Sequence, residues 1–189
     1  MTSLAPEATL AQEVHRPRKL ALDRAIAGCF ALAVLLHVGP DARGFLLAGL
    51  TAVLVELSAI DLERRLLPNR IVLPTLLLVL AAWLAIDPSR YAESLVWGTG
   101  AGAFLLLPSL YRRGAVGMGD VKLAALLGAA LGHVVAAALV IGLCASGAFA
   151  VLLLATGGRA ALRREIPLGP FLAGGAIAAM LLAAPGAFS

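Results

Sequence analysis

VKLAALLGAALGHVVAAALVIGLCASGAFAVLLLA, residues 121–155, is one apolar run of 35 residues whose main polar interruption is His133. A single helix of that length would reach about 52 Å at 1.5 Å per residue, against a bilayer core of about 30 Å. A reversal at Leu131-Gly132-His133 is therefore expected, giving one short helix over 121–132 and a longer one over 134–155. Outward from this run, further apolar stretches occupy 20–38, 44–60, 70–86, 92–110 and 168–187. A spanning helix needs about 20 residues, with roughly 17 as the lower limit. The chain thus carries seven spans, or six if the short fifth one is discounted.

Composition agrees. Of 189 residues, 61% are hydrophobic and 14% charged, with a mean hydropathy of +0.95, whereas soluble domains are about 25% charged. The expected fold class is all-α, a polytopic transmembrane helical bundle. Continuous apolar runs exclude a transmembrane barrel, whose strands alternate apolar and polar residues. The net charge of +4 and the pI near 9.7 come with no basic patch interleaved with aromatics, so nucleic acid is not an expected partner; the lipid bilayer is.

Residues 1–19 are polar, contain Pro6 and Pro17, and read as a short cytoplasmic tail; residues 20–189 read as a single membrane-embedded domain. Arg16, Arg18 and Lys19 ahead of an apolar stretch resemble a signal peptide. The following Val38-Gly39-Pro40-Asp41 lacks a small-x-small cleavage pattern, so the stretch is expected to be an uncleaved first span. Cys29 and Cys144 fall inside apolar runs, where a thiol behaves as a small hydrophobe. With no Cys-x-x-Cys pair there is no zinc ligand set, and no cofactor or metal is expected.

Loop charges fix the orientation of the spans. Arg16, Arg18, Lys19, Arg24, Arg64, Arg65, Arg70, Arg112, Arg113, Lys122, Arg159, Arg163 and Arg164 fall on one side. Only Arg43 and Arg90, of 15 basic residues, fall on the other. The positive-inside rule then gives a cytoplasmic N-terminus. The reversal near Gly132 is needed for this, because Arg113 and Arg159 share a side only if the chain crosses twice between them.

Two carboxylates come to that basic face. Asp61 closes the second span and Asp120 opens the fifth, two full crossings later. Carboxylates at bilayer depth are costly and mark function by default. Two of them held close cannot both ionise cheaply, so one takes up a proton and the pair titrates as a unit. That arrangement suits amide hydrolysis, with one partner activating water and the other protonating the substrate. His37 and His133 lie near the opposite face and His15 in the tail, so no nucleophile–histidine set competes.

Gly114, Gly117 and Gly119 free the backbone before Asp120 for left-handed or tightly turned conformations, or for close approach of an extended substrate. Bland readings stay open beside this one: Asp120 as a helix cap, Asp61 as loop polarity next to Arg64 and Arg65. Lys122 is expected to snorkel to lipid phosphate. Glu56 stands five residues before Asp61, roughly 140° around the helix and so on a different face; a buried hydrogen-bonding role and a substrate role are both open to it. The glycines at 98, 100 and 102 and from 142 to 147 read as helix-packing residues.

Three segments carry a family resemblance: Asp61-Leu62-Glu63-Arg64-Arg65-Leu66-Leu67-Pro68-Asn69, then Gly117-Met118-Gly119-Asp120-Val121-Lys122, then Ile166-Pro167-Leu168-Gly169-Pro170-Phe171-Leu172. In this order the chain resembles the type IV prepilin peptidases, membrane aspartic proteases of the Gly-x-Gly-Asp kind. The resemblance implies that Asp61 and Asp120 are the catalytic pair and that Gly117 and Gly119 belong to an active-site loop. It also implies that the reaction removes a basic leader from prepilin or pseudopilin precursors at the cytoplasmic face of the bacterial inner membrane. Larger members carry a zinc-binding loop with two Cys-x-x-Cys pairs and also N-methylate the product. Without those cysteines the chain resembles the short form of Tad/Flp-type pilus systems, and methyltransferase activity is left unsupported. Glu63 and Glu165 are the candidates for contacting a basic leader.

Two other classes stay in view. A small proton- or cation-coupled transporter or channel subunit would use the same aspartates as an ion site. It should show related halves with helices broken at the midplane, and no repeat is evident. A non-catalytic pilus-assembly protein would not need both aspartates intact. The sequence leaves the oligomeric state open.

Overall fold

The structure, a computed structural model, describes residues 5–64, 67–111, 116–157 and 167–188. Among these are seven α-helices: α1 (Ala5–Val38), α2 (Ala42–Arg64), α3 (Asn69–Ile86), α4 (Pro88–Tyr111), α5 (Met118–Leu131), α6 (Val135–Gly157) and α7 (Gly169–Leu182). Short 3-10 turns follow α5 (Gly132–Val134) and α7 (Pro185–Phe188). By length and composition, α2, α3, α4 and the stretch Met118–Gly157 can cross a membrane, and α7 is a shorter apolar helix. The helix α1 reaches back to Ala5, so residues 5–19 continue it. The last expected span divides, because α7 ends at Leu182 and Pro185 opens a separate turn.

Local chemistry sets the helix ends. Gly39 (φ 120°) ends α1 in a conformation that L side chains rarely adopt. Asp41 Oδ1 then accepts the Gly44 N–H at 2.8 Å, capping α2. Asp87 caps α4 in the same way: its Oδ1 takes the Ser89 N–H at 3.1 Å, and Pro88 fills the first helical position, where no N–H is required. Gly132 (φ 57°) breaks the long apolar run.

At this break the chain reverses, as its length required. Gly102, Gly98 and Gly128 place α5 antiparallel to α4, with Gly102 near Ala125 and Gly132 near Glu93. Gly142 and Gly175 place α6 antiparallel to α7. The two limbs hardly touch: α5 packs along α4, and α6 along α7.

Close helix approach rests on missing side chains, as expected where lipid provides no hydrophobic force between helices. A Cβ on Gly128 would collide with the Trp97 carbonyl and sit 2.8 Å from Gly98 Cα; one on Gly175 would sit 2.9 Å from Gly142 Cα. Gly100 and Gly147 face open space and do no packing. Leu36, Phe45, Leu77, Val96, Val140, Val151 and Leu182 are exposed, the surface a bilayer would cover. Cys29 and Cys144 are exposed there too. Both faces of a membrane helix are apolar, so apolarity alone could not say which way they point.

The end of the bundle opposite the two aspartates is knitted together. Arg43 Nη2 pairs with Asp87 Oδ2 at 3.0 Å and Nη1 donates to the Phe188 carbonyl at 3.3 Å. Arg90 donates to the Ala187 carbonyl at 3.0 Å and lies 5.5 Å from the Trp83 ring centroid. His37 Nε2 meets the Ala183 carbonyl at 2.8 Å, and Phe188 is buried. The two arginines that depart from the one-sided charge pattern are thus both engaged in protein contacts.

Candidate active site

Along α2 the core-facing stripe is Leu47, Leu50, Leu54, Leu57 and Asp61, at spacings of three or four residues that bring them onto one face. Asp61 is 5% exposed. A carboxylate therefore occupies a core position one turn before the helix ends, which is not where loop polarity would lie. Its Oδ2 accepts the backbone N–H of Gly169, the first residue of α7, at 3.1 Å. A Cβ on Gly169 would stand 2.7 Å from that oxygen. Only a glycine lets the α7 backbone come this close.

Asp120 is the third residue of α5. Its own N–H donates to the Gly117 carbonyl at 3.0 Å, and its carboxylate lies beside Gly117, where an added Cβ would stand 3.1 Å from Oδ2. Asp120 stands in the first turn of α5, where a carboxylate suits the helix N-terminus, as the bland reading held. It also faces Asp61 closely enough for the two charges to act on each other.

The glycines before it work differently from the expectation. Gly117 has φ −67°, and the described glycines with positive φ are Gly39 and Gly132. Gly117 and Gly119 act by proximity: a Cβ on Gly117 would lie 3.1 Å from Asp120 Oδ2, and one on Gly119 would lie 2.9 Å from Leu67 Cβ. Gly114 lies outside the described residues.

Lys122 also departs from expectation. Its Nζ donates to Asn69 Oδ1 at 2.9 Å. Glu63 is exposed at the end of α2, and Glu165 lies outside the described residues. Glu56 is exposed rather than buried, on a face of α2 turned from Asp61, as the helical angle required. His37 and His133 are at the far end, the latter 3.2 Å from Glu93. Among the described residues, no three His, Cys, Asp or Glu side chains gather into a metal cage.

The helices α5 and α7 have 14 residues each, roughly 21 Å, and both begin at the aspartates. From the packing registers, α4 runs on past Asp120 by about 9 Å and α6 past Gly169 by about 18 Å. The ends of α4 and α6 therefore reach further than the starts of α5 and α7 on this side. Two apolar clefts lie elsewhere: about 410 Å³ between α4 and α6 beside Trp97 and Phe104, and about 330 Å³ between α2 and α3 beside Phe45 and Pro74. Both are lined by mostly apolar residues, some buried and some exposed, and hold no titratable group.

Residues 48–155 match the profile of the type IV leader peptidase family. The chain is 34% identical over 167 residues to a prepilin leader peptidase/N-methyltransferase of Burkholderia pseudomallei, covering 84% of this chain and 53% of that protein. It is 28% identical over 157 residues to a protein of the same name from Bacillus subtilis, covering 82% and 63%. The chain thus spans about half to two-thirds of the length of these curated relatives. No solved structure matches it significantly.

Proposed function

Because the chain belongs to the type IV leader peptidase family, we propose that it is a membrane aspartic endopeptidase that removes the leader of prepilin-like precursors, with Asp61 and Asp120 as its catalytic pair. The observation that carries this is the core position of Asp61: a carboxylate in an apolar helix stripe, held by the Gly169 N–H and facing a second carboxylate from another helix.

In this reading the two carboxylates share one proton. The ionised member takes a proton from water, and the resulting hydroxide adds to the scissile carbonyl carbon. The protonated member gives its proton to the carbonyl oxygen. The tetrahedral intermediate then collapses: one of its hydroxyls returns a proton to the carboxylate that gave one, the C–N bond breaks, and the nitrogen leaves as an amine carrying the proton first taken from water. Burial of Asp61 keeps it out of bulk water, which strengthens such electrostatics. Its basic surroundings favour the cytoplasmic face. Glu63 and Glu165 are the proposed contacts for a basic leader.

Transport is the weaker reading. An ion path would need polar groups leading inward from the pair, and the residues next inward, Leu57, Leu123, Ala124 and Leu127, are buried and apolar.

Purified protein in proteoliposomes, incubated with a prepilin precursor, should release one leader peptide and one mature chain by mass spectrometry. Failure to cleave any precursor encoded alongside it would contradict the proposal.

A further inference from the structure

Asp61 is on α2, which lies mainly against α1 and α7; Asp120 is on α5, which lies mainly against α4 and α3, and α3 and α7 each touch both helices. The helices α2 and α5 share no extensive contact of their own. The hydrogen bond from Gly169 to Asp61 ties α2 to α7, and the one from the Asp120 N–H to the Gly117 carbonyl is local to the start of α5. Neither bond by itself fixes the separation of the two carboxylates.

Two contacts at the corner between α2 and α3 can set it. That corner follows Asp61 by a few residues, and its Leu67 side chain rests on Gly119. Asn69, the first residue of α3, accepts the Lys122 ammonium at 2.9 Å. Gly119 and Lys122 flank Asp120. The corner therefore grips the start of α5 on both sides of the carboxylate, once through apolar contact and once through a hydrogen bond spanning 53 residues.

We infer that Asn69 and Lys122 are positioning residues: their hydrogen bond holds the start of α5, and with it Asp120, at a working distance from Asp61. Its catalytic meaning rests on the reading of Asp61 and Asp120 as the reactive pair. Lys122 acts through the amide of Asn69 and touches neither carboxylate. Its removal leaves both acids in place but lets their separation vary.

The test reads geometry and rate separately. In full-length protein with Cys29 and Cys144 changed to Ala, Asp61→Cys and Asp120→Cys are joined by a short bifunctional thiol reagent in membranes. Adding Lys122→Met or Asn69→Leu should slow cross-linking several-fold, and adding Lys122→Arg, which keeps a donor, should restore most of it. In the otherwise native chain, Lys122→Met should lower kcat about tenfold, since small misplacements of reacting groups cost that much or more, with KM within about twofold; Lys122→Arg should recover it. Unchanged cross-linking in Lys122→Met and Asn69→Leu would overturn the inference, even if their thermal stability fell. Slower cross-linking together with no cleavage by the native chain would uphold the clamp and overturn the peptidase reading.

Discussion

Changing Gly169 to Ala adds one methyl group where the structure has no room for it. The new Cβ would stand 2.7 Å from Asp61 Oδ2 and 3.1 Å from Cγ, about 0.7 Å inside ordinary contact for the oxygen. Asp61 is buried and α7 is pinned at its far end through Ala183, Ala187 and Phe188, so neither partner retreats freely. Either the carboxylate rotates or the start of α7 withdraws, and in both cases the 3.1 Å bond from the Gly169 N–H is lost. A hydrogen bond to a charged group contributes about 1.5–3 kcal/mol, which converts to roughly a 10- to 150-fold loss in kcat at about 1.4 kcal/mol per tenfold. The loss should appear in kcat with little change in KM, because the bond fixes a group proposed to react and not one proposed to contact substrate. Gly174→Ala is the matched control: it lies on the same helix, and its added Cβ meets nothing within 4 Å. The assay is initial-rate cleavage of a precursor by each purified variant, with circular dichroism to check the fold. Native kcat in Gly169→Ala would refute the claim that this amide orients Asp61.

Gly128→Val and Gly175→Leu should each prevent stable folding or cut it by about 1–3 kcal/mol or more, through overpacking against helix backbone; Gly147→Val, facing open space, should be silent in the same detergent melting assay. Leu54→Ala, at a fully buried position of α2, should cost about 2–5 kcal/mol, read as a fall in melting temperature. Asp87 lies between α3 and α4, and its carboxyl is held below the usual range by the Ser89 hydroxyl first, with backbone N–H groups and Arg43 adding to this. A depressed folded-state pKa means that its contribution is present above about pH 4 and is lost as pH falls through the folded value. Asp87→Asn should therefore lower the melting temperature slightly at pH 7 and make no difference in strong acid; a difference persisting in acid would contradict this.

Much of the fold was legible because a bilayer imposes lengths. The reversal near Gly132 followed from a 35-residue run that no membrane could hold straight, and the basic loops oriented the other helices. What stayed hidden were choices between equivalent faces. Cys29 and Cys144 lie in helices whose lipid-facing and protein-facing sides are both apolar, so no hydrophobic pattern fixed their direction. Asp61 did carry a signal: it follows Leu47, Leu50, Leu54 and Leu57 at core spacing. The Gly169 amide and the Asn69–Lys122 bond carried none, because each depends on contacts between residues distant in sequence. The glycines before Asp120 suggested unusual backbone angles, yet they serve as room for neighbouring atoms, a distinction that only three-dimensional packing makes.

The most direct test of the proposed catalytic pair is single-turnover cleavage of a prepilin precursor by the native chain, Asp61→Asn and Asp120→Asn, each reconstituted in the same lipid. Both substitutions keep side-chain size and remove the acid–base function, so each alone should reduce the rate at least 10²- to 10⁴-fold while insertion and melting temperature stay near native. Cleavage near the native rate by either variant would contradict the account.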